Sequence, residues 1–269
     1  MKYLNKKQQE NYIKNYFKEK NINYSFNNDI FEIENNFILS LGKNIHNDDK
    51  ETFIIYPWND INKFIEMIIY RLKIKETTRI YARDTNVLIE NINKKHREFI
   101  NENHILECPP FKNKICSVTL YYKDDIIGLG IFTKYRDDVE LKRLVFKKGY
   151  SVVGGTSKII KNFNKHFKEY KNIITFSDNN LGNGNVYNKL GFKLIDDVKE
   201  QIVWYNPEFN KKFTDVSLVR IGADRLLVWH PQYIPFGIGE DLPNNQEIVK
   251  MYGFIPIYDA GYKKWIKEC

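Results

Sequence analysis

No apolar run in the 269 residues approaches the ~20 that a membrane-spanning helix needs, so no helical span is expected. Cysteine is scarce. Cys108, Cys116 and Cys269 are odd in number, lack CxxC spacing and have no paired histidines nearby. That excludes a disulfide framework and argues against a structural zinc; no bound metal is expected. No secretory leader precedes them, so reduced thiols in a cytoplasm are expected. Internal repeats and low-complexity linkers are also missing.

Basic and apolar residues are plentiful. Lys and Arg total 42 against 34 Asp and Glu, a formal net charge of +8, and hydrophobic residues make up 42%. The apolar share suffices for a core. The positive surplus favours an anionic partner, either nucleic acid or a phosphorylated cofactor, although a solvated lysine-rich surface would produce it too.

The patterning gives mixed α/β elements. Helices are expected over 3–20, 61–73, 93–102, 157–168 and 183–190, with Asp60 capping the second. Residues 29–41 read as a hairpin turning at Asn35-Asn36, and 52–56 as a buried strand. Further strands are expected near 80–82, 85–89, 115–123, 126–134, 139–146, 172–177, 192–195 and 254–258, with Asp124-Asp125 turning a hairpin. Three regions result: a small α/β module over 1–77, a main domain over 78–206 and a C-terminal extension over 207–269.

Two motifs carry the functional reading. In ELKRLVFKKGYSVVGGTSKIIKNF (140–163), a strand leads through Gly154-Gly155 into a helix. Glycines let backbone N–H groups face a phosphate, and the helix adds its positive end. One strand later comes NGNVYNKLGF (183–192), a short helix closed by glycine before a buried strand. The ordered pair, in the element order β-α-ββ-β-loop-α-β-α-β, resembles the GNAT acetyltransferase superfamily. Ser151, Gly154 and Thr156 stand in the family's Gln/Arg, Gly and Gly/Ala slots. The resemblance implies a mixed sheet flanked by helices, after the small N-terminal module. It also implies acetyl-CoA or a related acyl donor, held by Leu144, Val145, Val153, Gly154, Gly155, Thr156, Asn183, Asn185 and Tyr187.

Within that superfamily, segments including IYARDTNVLIE, ELKRLVF and TFSDNNLGNGNVYNKLGF resemble phage Mom-like DNA-modification proteins. They also resemble acetyltransferase-like domains attached to phage homing endonucleases. This likeness, over roughly residues 79–205, implies transfer to a base amine in DNA, with His104, Tyr122 (or Tyr121), Ser157 and Asp178 near the chemistry. DNA would then meet Arg143, Lys158, Lys161 and Lys165. Two other readings remain: an acetyl-CoA N-acetyltransferase for a small amine or protein, and a non-catalytic DNA-binding module. Residues 29–73 weakly resemble a very-short-patch-repair-type nuclease core. Asp29 is a candidate ligand, Ser40 stands where a second acid would be expected, and His46, Asp48 and Asp49 lie nearby on a loop, so the module reads as a degenerate remnant or a docking domain.

Overall fold

The computed structural model describes residues 5–33, 37–45, 50–71, 76–106, 108, 110, 113–182, 184–208, 211–214, 250 and 253–269. They form two compact units. One holds 1–59, 179–182 and 198–262; the other holds 60–178, 183–197 and 263–269. The sequence-drawn boundaries at 77 and 206 therefore do not coincide with the contact-defined ones, because each unit gathers distant stretches of chain.

The first unit opens with helix α1 (Lys6–Glu19), where Asn5 and Gln8 form a reciprocal capping box. Strands β1 (Tyr24–Asn27), β2 (Ile30–Ile33), β3 (Phe37–Leu41) and β4 (Glu51–Ile55) follow in that spatial order. Asn28 and Asp29 take positive φ (47° and 70°), the paired left-handed conformation that a two-residue hairpin needs. The expected antiparallel pairing of β2 with β3 is present; its Asn35-Asn36 turn lies outside the described residues. Asp29 pairs with Lys6, and buried Ser40 donates to the Lys43 carbonyl. His46, Asp48 and Asp49 lie outside the described residues. No group of three metal-ligating side chains occurs among those described.

The second unit begins with α2 (Ile61–Arg71), whose first amides donate to Asp60 as expected. Next come β5 (Thr78–Tyr81), β6 (Asn86–Glu90), α3 (Lys94–Asn103), β7 (Lys114–Tyr122), β8 (Asp125–Tyr135) and β9 (Asp138–Phe146). β10 (Tyr150–Val153), α4 (Gly155–His166), β11 (Asn172–Asp178), α5 (Asn185–Lys189) and β12 (Lys193–Val198) complete the run. The chain then returns to the first unit as β13 (Gln201–Asn206), β14 (Lys211–Thr214) and β15 (Ile255–Asp259), a separate three-stranded sheet. It ends in β16 (Tyr262–Glu268).

The main sheet has seven strands in the order β12-β16-β11-β9-β8-β7-β6. It is a mixed sheet, with β9 parallel to β11 and antiparallel to β8. Helices cover both faces. Ile159, Ile160 and Phe163 of α4 pack with Val118, Leu120, Ile127 and Phe132 on one side. Phe99 and Ile100 of α3 pack with Leu129, Ile131 and Val145 on the other. Each such buried side chain contributes roughly 1.5–3 kcal/mol, so the two helices fix the sheet from both faces. Beneath α3 the polar residues are satisfied: His96 accepts from the Asn93 amide at Nδ1, and its Nε2 meets Glu90 and Thr119. Among the described residues no helix is long and apolar enough to cross a membrane.

Candidate functional site

Close packing sets the start of α4. A Cβ on Gly130 of β8 would fall 2.6 Å from Ile159 Cγ2, and one on Gly155 would fall 2.6 Å from Phe146 Cε1. Side chains at either position would push the helix off the sheet. Gly154, at φ 78°, is the N-cap and supplies no side-chain acceptor. The first-turn amides of Gly155, Thr156 and Ser157 thus lack both an intrahelical acceptor and a capping side chain, at the positive end of a twelve-residue helix.

Beside this helix end the sheet opens. Between β9 and β11 the paired residues are Ile173↔Val139 and Ile174↔Glu140. One residue on, the Thr175 hydroxyl donates to the Leu141 carbonyl at 3.1 Å. Both strands continue, β9 to Phe146 and β11 to Asp178, without further pairing to each other. The cause lies one strand over. β8 pairs Phe132 with Leu141 but Ile131 with Arg143, leaving Lys142 as an extra residue. Such a bulge bends its strand and increases the local twist.

Polar side chains gather around this opening. Tyr187 of α5 hydrogen-bonds Thr175, and burial pushes its hydroxyl pKa up, so the phenol is protonated at neutral pH. Its ring packs against Phe192 and Trp265, centroids 5.6 and 5.9 Å away. Trp265 donates to Ser177 Oγ at 2.8 Å, and a Cβ on Gly184 would lie 2.7 Å from that oxygen. Arg143 of β9, paired with Ile131 of β8, faces the α3 side and interacts electrostatically with Cys108, Glu140 and Tyr187. His104, the C-cap of α3, accepts from the Leu106 amide at Nδ1 (3.0 Å). Burial and the positive charges of Arg143 and Lys63 push its pKa down to about 4.

The remaining expected site residues are more scattered. Leu144 is half-buried, Val145 is in the core under α3, and Val153 is exposed at the end of β10. Asn185 is the exposed first residue of α5, and Asn183 lies outside the described residues. Tyr122 packs on the α4 face, so the sheet separates it from His104; no hydrogen bond joins His104, Tyr122 and Ser157. Tyr121, on the α3 face, donates to Glu90 and accepts from Lys95. Ser157 is exposed, and Asp178 ends β11. Thr175 and the burial of Arg143 escaped sequence reading; a threonine inside NIITFS was the available signal for the first.

Among the expected DNA contacts, Lys161 and Lys165 are exposed on α4. Lys158 is differently occupied, donating to the carbonyls of Ala82 and Thr85 at 2.7 and 2.5 Å. Lys158→Met is therefore expected to lower stability by roughly 1.5–3 kcal/mol, read by urea denaturation, without weakening DNA binding. Unchanged stability with reduced DNA affinity would instead assign the ammonium to nucleic acid.

No protein-family model and no curated protein matches the chain. Solved structures do. One is a GNAT family acetyltransferase from Elizabethkingia anophelis with acetyl-CoA bound: 13% identity over 68% of this chain and 99% of that one, TM-score 0.36. Another is a Bacillus subtilis acetyltransferase in complex with CoA: 12% identity over 69% and 99%, TM-score 0.37. A third is Arabidopsis thaliana Naa50 with a bisubstrate analogue: 16% identity over 42% and 87%, TM-score 0.35.

Proposed function

We propose that this chain is a GNAT-type acyltransferase that moves an acetyl group from acetyl-CoA, or a related thioester donor, to an amine. The observation that carries the reading is the unpaired stretch of β9 beside the uncapped start of α4. The residues present fit such a donor. A pyrophosphate needs several converging N–H groups and no intruding side chain. Gly154 puts no capping side chain at the start of α4, whose first-turn amides have no intrahelical acceptor. Past Leu141 the free backbone edge of β9 offers amide and carbonyl partners to an extended amide-containing arm.

When bound, the donor supplies an activated thioester carbonyl and a thiol leaving group. Tyr187 holds its proton at Oη, kept there by burial, and offers it to a departing sulfur. Tyr187→Phe is accordingly expected to lower kcat about 100-fold. The donor KM should stay unchanged, since the aromatic contacts persist. Wild-type kcat in the phenylalanine variant would remove Tyr187 from the chemistry.

A second acceptor class, a base amine in DNA, is favoured by the net charge of +8 and the exposed lysines of α4. The test is acetyl-CoA binding by calorimetry, followed by thiol release with an amine panel and with duplex and single-stranded DNA. Binding plus amine-dependent thiol release supports the proposal. A folded chain that neither binds acetyl-CoA nor releases thiol refutes it. A modified nucleoside in plasmid DNA from expressing cells selects the DNA acceptor.

A further inference from the structure

Among the described residues Arg143 has no carboxylate of its own. Its Nη1 donates to the neighbouring Lys142 carbonyl at 2.9 Å. Its Nε is closed to solvent and has no hydrogen-bond partner among the described residues. Glu140, a carboxylate in its electrostatic reach, is held by Lys142 through contacts of 2.9 and 3.2 Å. A buried guanidinium N–H left unsatisfied is costly, and such groups are rare in folded proteins. The bulge that leaves Lys142 extra also places Arg143 opposite Ile131, toward α3 and beside the opening between β9 and β11. Among the described residues the other groups in its electrostatic reach are Tyr187, His104 and Cys108, none of them an anion at neutral pH.

We infer that Arg143 anchors a carboxylate on the acceptor, so that the amines this chain takes are small amino acids rather than neutral amines. The unpartnered part of the guanidinium is its Nε/Nη2 edge, since Nη1 is already engaged; Nε is closed to solvent, so the side chain turns toward the opening when a ligand takes that edge. That edge presents two parallel N–H groups, the geometry that matches the two oxygens of a carboxylate. Docked there, the acceptor lies within electrostatic reach of Tyr187, the residue assigned above to the leaving sulfur. The inference rests on the acyltransferase reading for the identity of the acceptor, but carboxylate binding can be measured apart from turnover.

The test uses the full chain and a panel of free amino acids paired with their C-terminal amides. The first readout is the shift in melting temperature with each compound, which needs no acyl donor. The second is kcat/KM with acetyl-CoA. The wild-type chain is expected to prefer the acid over its amide by about 30-fold or more, an effect on KM. Arg143→Gln should abolish that preference while acetyl-CoA binding is unchanged. Arg143→Lys keeps the charge without the fork and should lose most of it, which covers the case where the glutamine variant fails to fold. Equal response to acids and amides in the wild type overturns the inference, as does a preference that survives in both variants. Modification of DNA alone, with no amino acid accepted, overturns it too. If acetyl-CoA does not bind but acids still raise the melting temperature through Arg143, the acyltransferase reading fails and the anion site stands.

Discussion

Replacing Gly261 with alanine is expected to cost at least about 3 kcal/mol, against about 1 kcal/mol for Gly42→Ala. Both glycines belong to the first unit and hold nearly the same left-handed backbone, at φ 72° and 67°. They differ in what surrounds them. A Cβ on Gly42 meets nothing within 4 Å, so its substitution measures the cost of the backbone conformation alone. A Cβ on Gly261 would fall 1.8 Å from the Val198 carbonyl oxygen and 2.7 Å from the Lys199 carbonyl carbon. A Cβ has no rotamer, and the atoms it meets are backbone, so the turn itself must move. That turn is tied down: Gly261 accepts from the Asn179 amide at 3.1 Å and donates to Asp259 at 2.9 Å. Urea denaturation of the two variants side by side checks the difference. Equal costs would show that the turn yields easily.

The strand that Gly261 introduces was the element least legible in the sequence. β16 lies between β11 and β12 in the main sheet, yet a long excursion into the first unit separates it from both. Its sequence, YKKWIKE, is lysine-rich and buries Trp265, so it reads as an undistinguished basic tail. Local pattern cannot reveal a partner so distant along the chain. By contrast, α3, α4, the β7–β8 hairpin and the capping of α2 were legible, because their signals span only a few residues, although that hairpin turns at Lys123-Asp124, one residue before the expected Asp124-Asp125.

The site divides along the same line. Gly154, Gly155 and Tyr187 carry local signatures, and the structure sets them beside a split in the sheet. The split itself depends on a register shift between β8 and β9, which no single-strand pattern encodes. Arg143 consequently stood among the expected DNA contacts, although it is half-buried. Lys158 looked like part of a phosphate-facing stripe by helical spacing. Its true partners, two carbonyls of a turn at 82–85, are fixed by tertiary packing. The set of His104, Tyr122 and Ser157 was drawn from a resemblance, and strand alternation puts Tyr122 on the far face of the sheet from His104.

His104 provides the second large effect, a loss of stability in mild acid. Its pKa is about 4 in the folded chain, against an ordinary value of 6.5. Between those values the unfolded chain holds a proton that the folded chain does not, so stability falls as pH drops from 6.5 toward 4 and is unaffected above that window. Full burial would make the loss about 3 kcal/mol, and solvent at the partly buried ring reduces it to roughly 2 kcal/mol. Other groups titrate in the same range, so the comparison is with His104→Asn, whose Oδ1 can still accept from the Leu106 amide. Unfolding free energies at pH 7 and pH 4.5 should show the wild type losing more than the variant; parallel losses would remove His104 as the source. The same depressed pKa defines what the ring can do at neutral pH. Nδ1 lies 3.0 Å from the Leu106 amide and 3.1 Å from the Leu106 carbonyl, so Leu106 holds the ring in place in either tautomer. At neutral pH the ring is therefore uncharged, and a pKa of about 4 makes it a weak base.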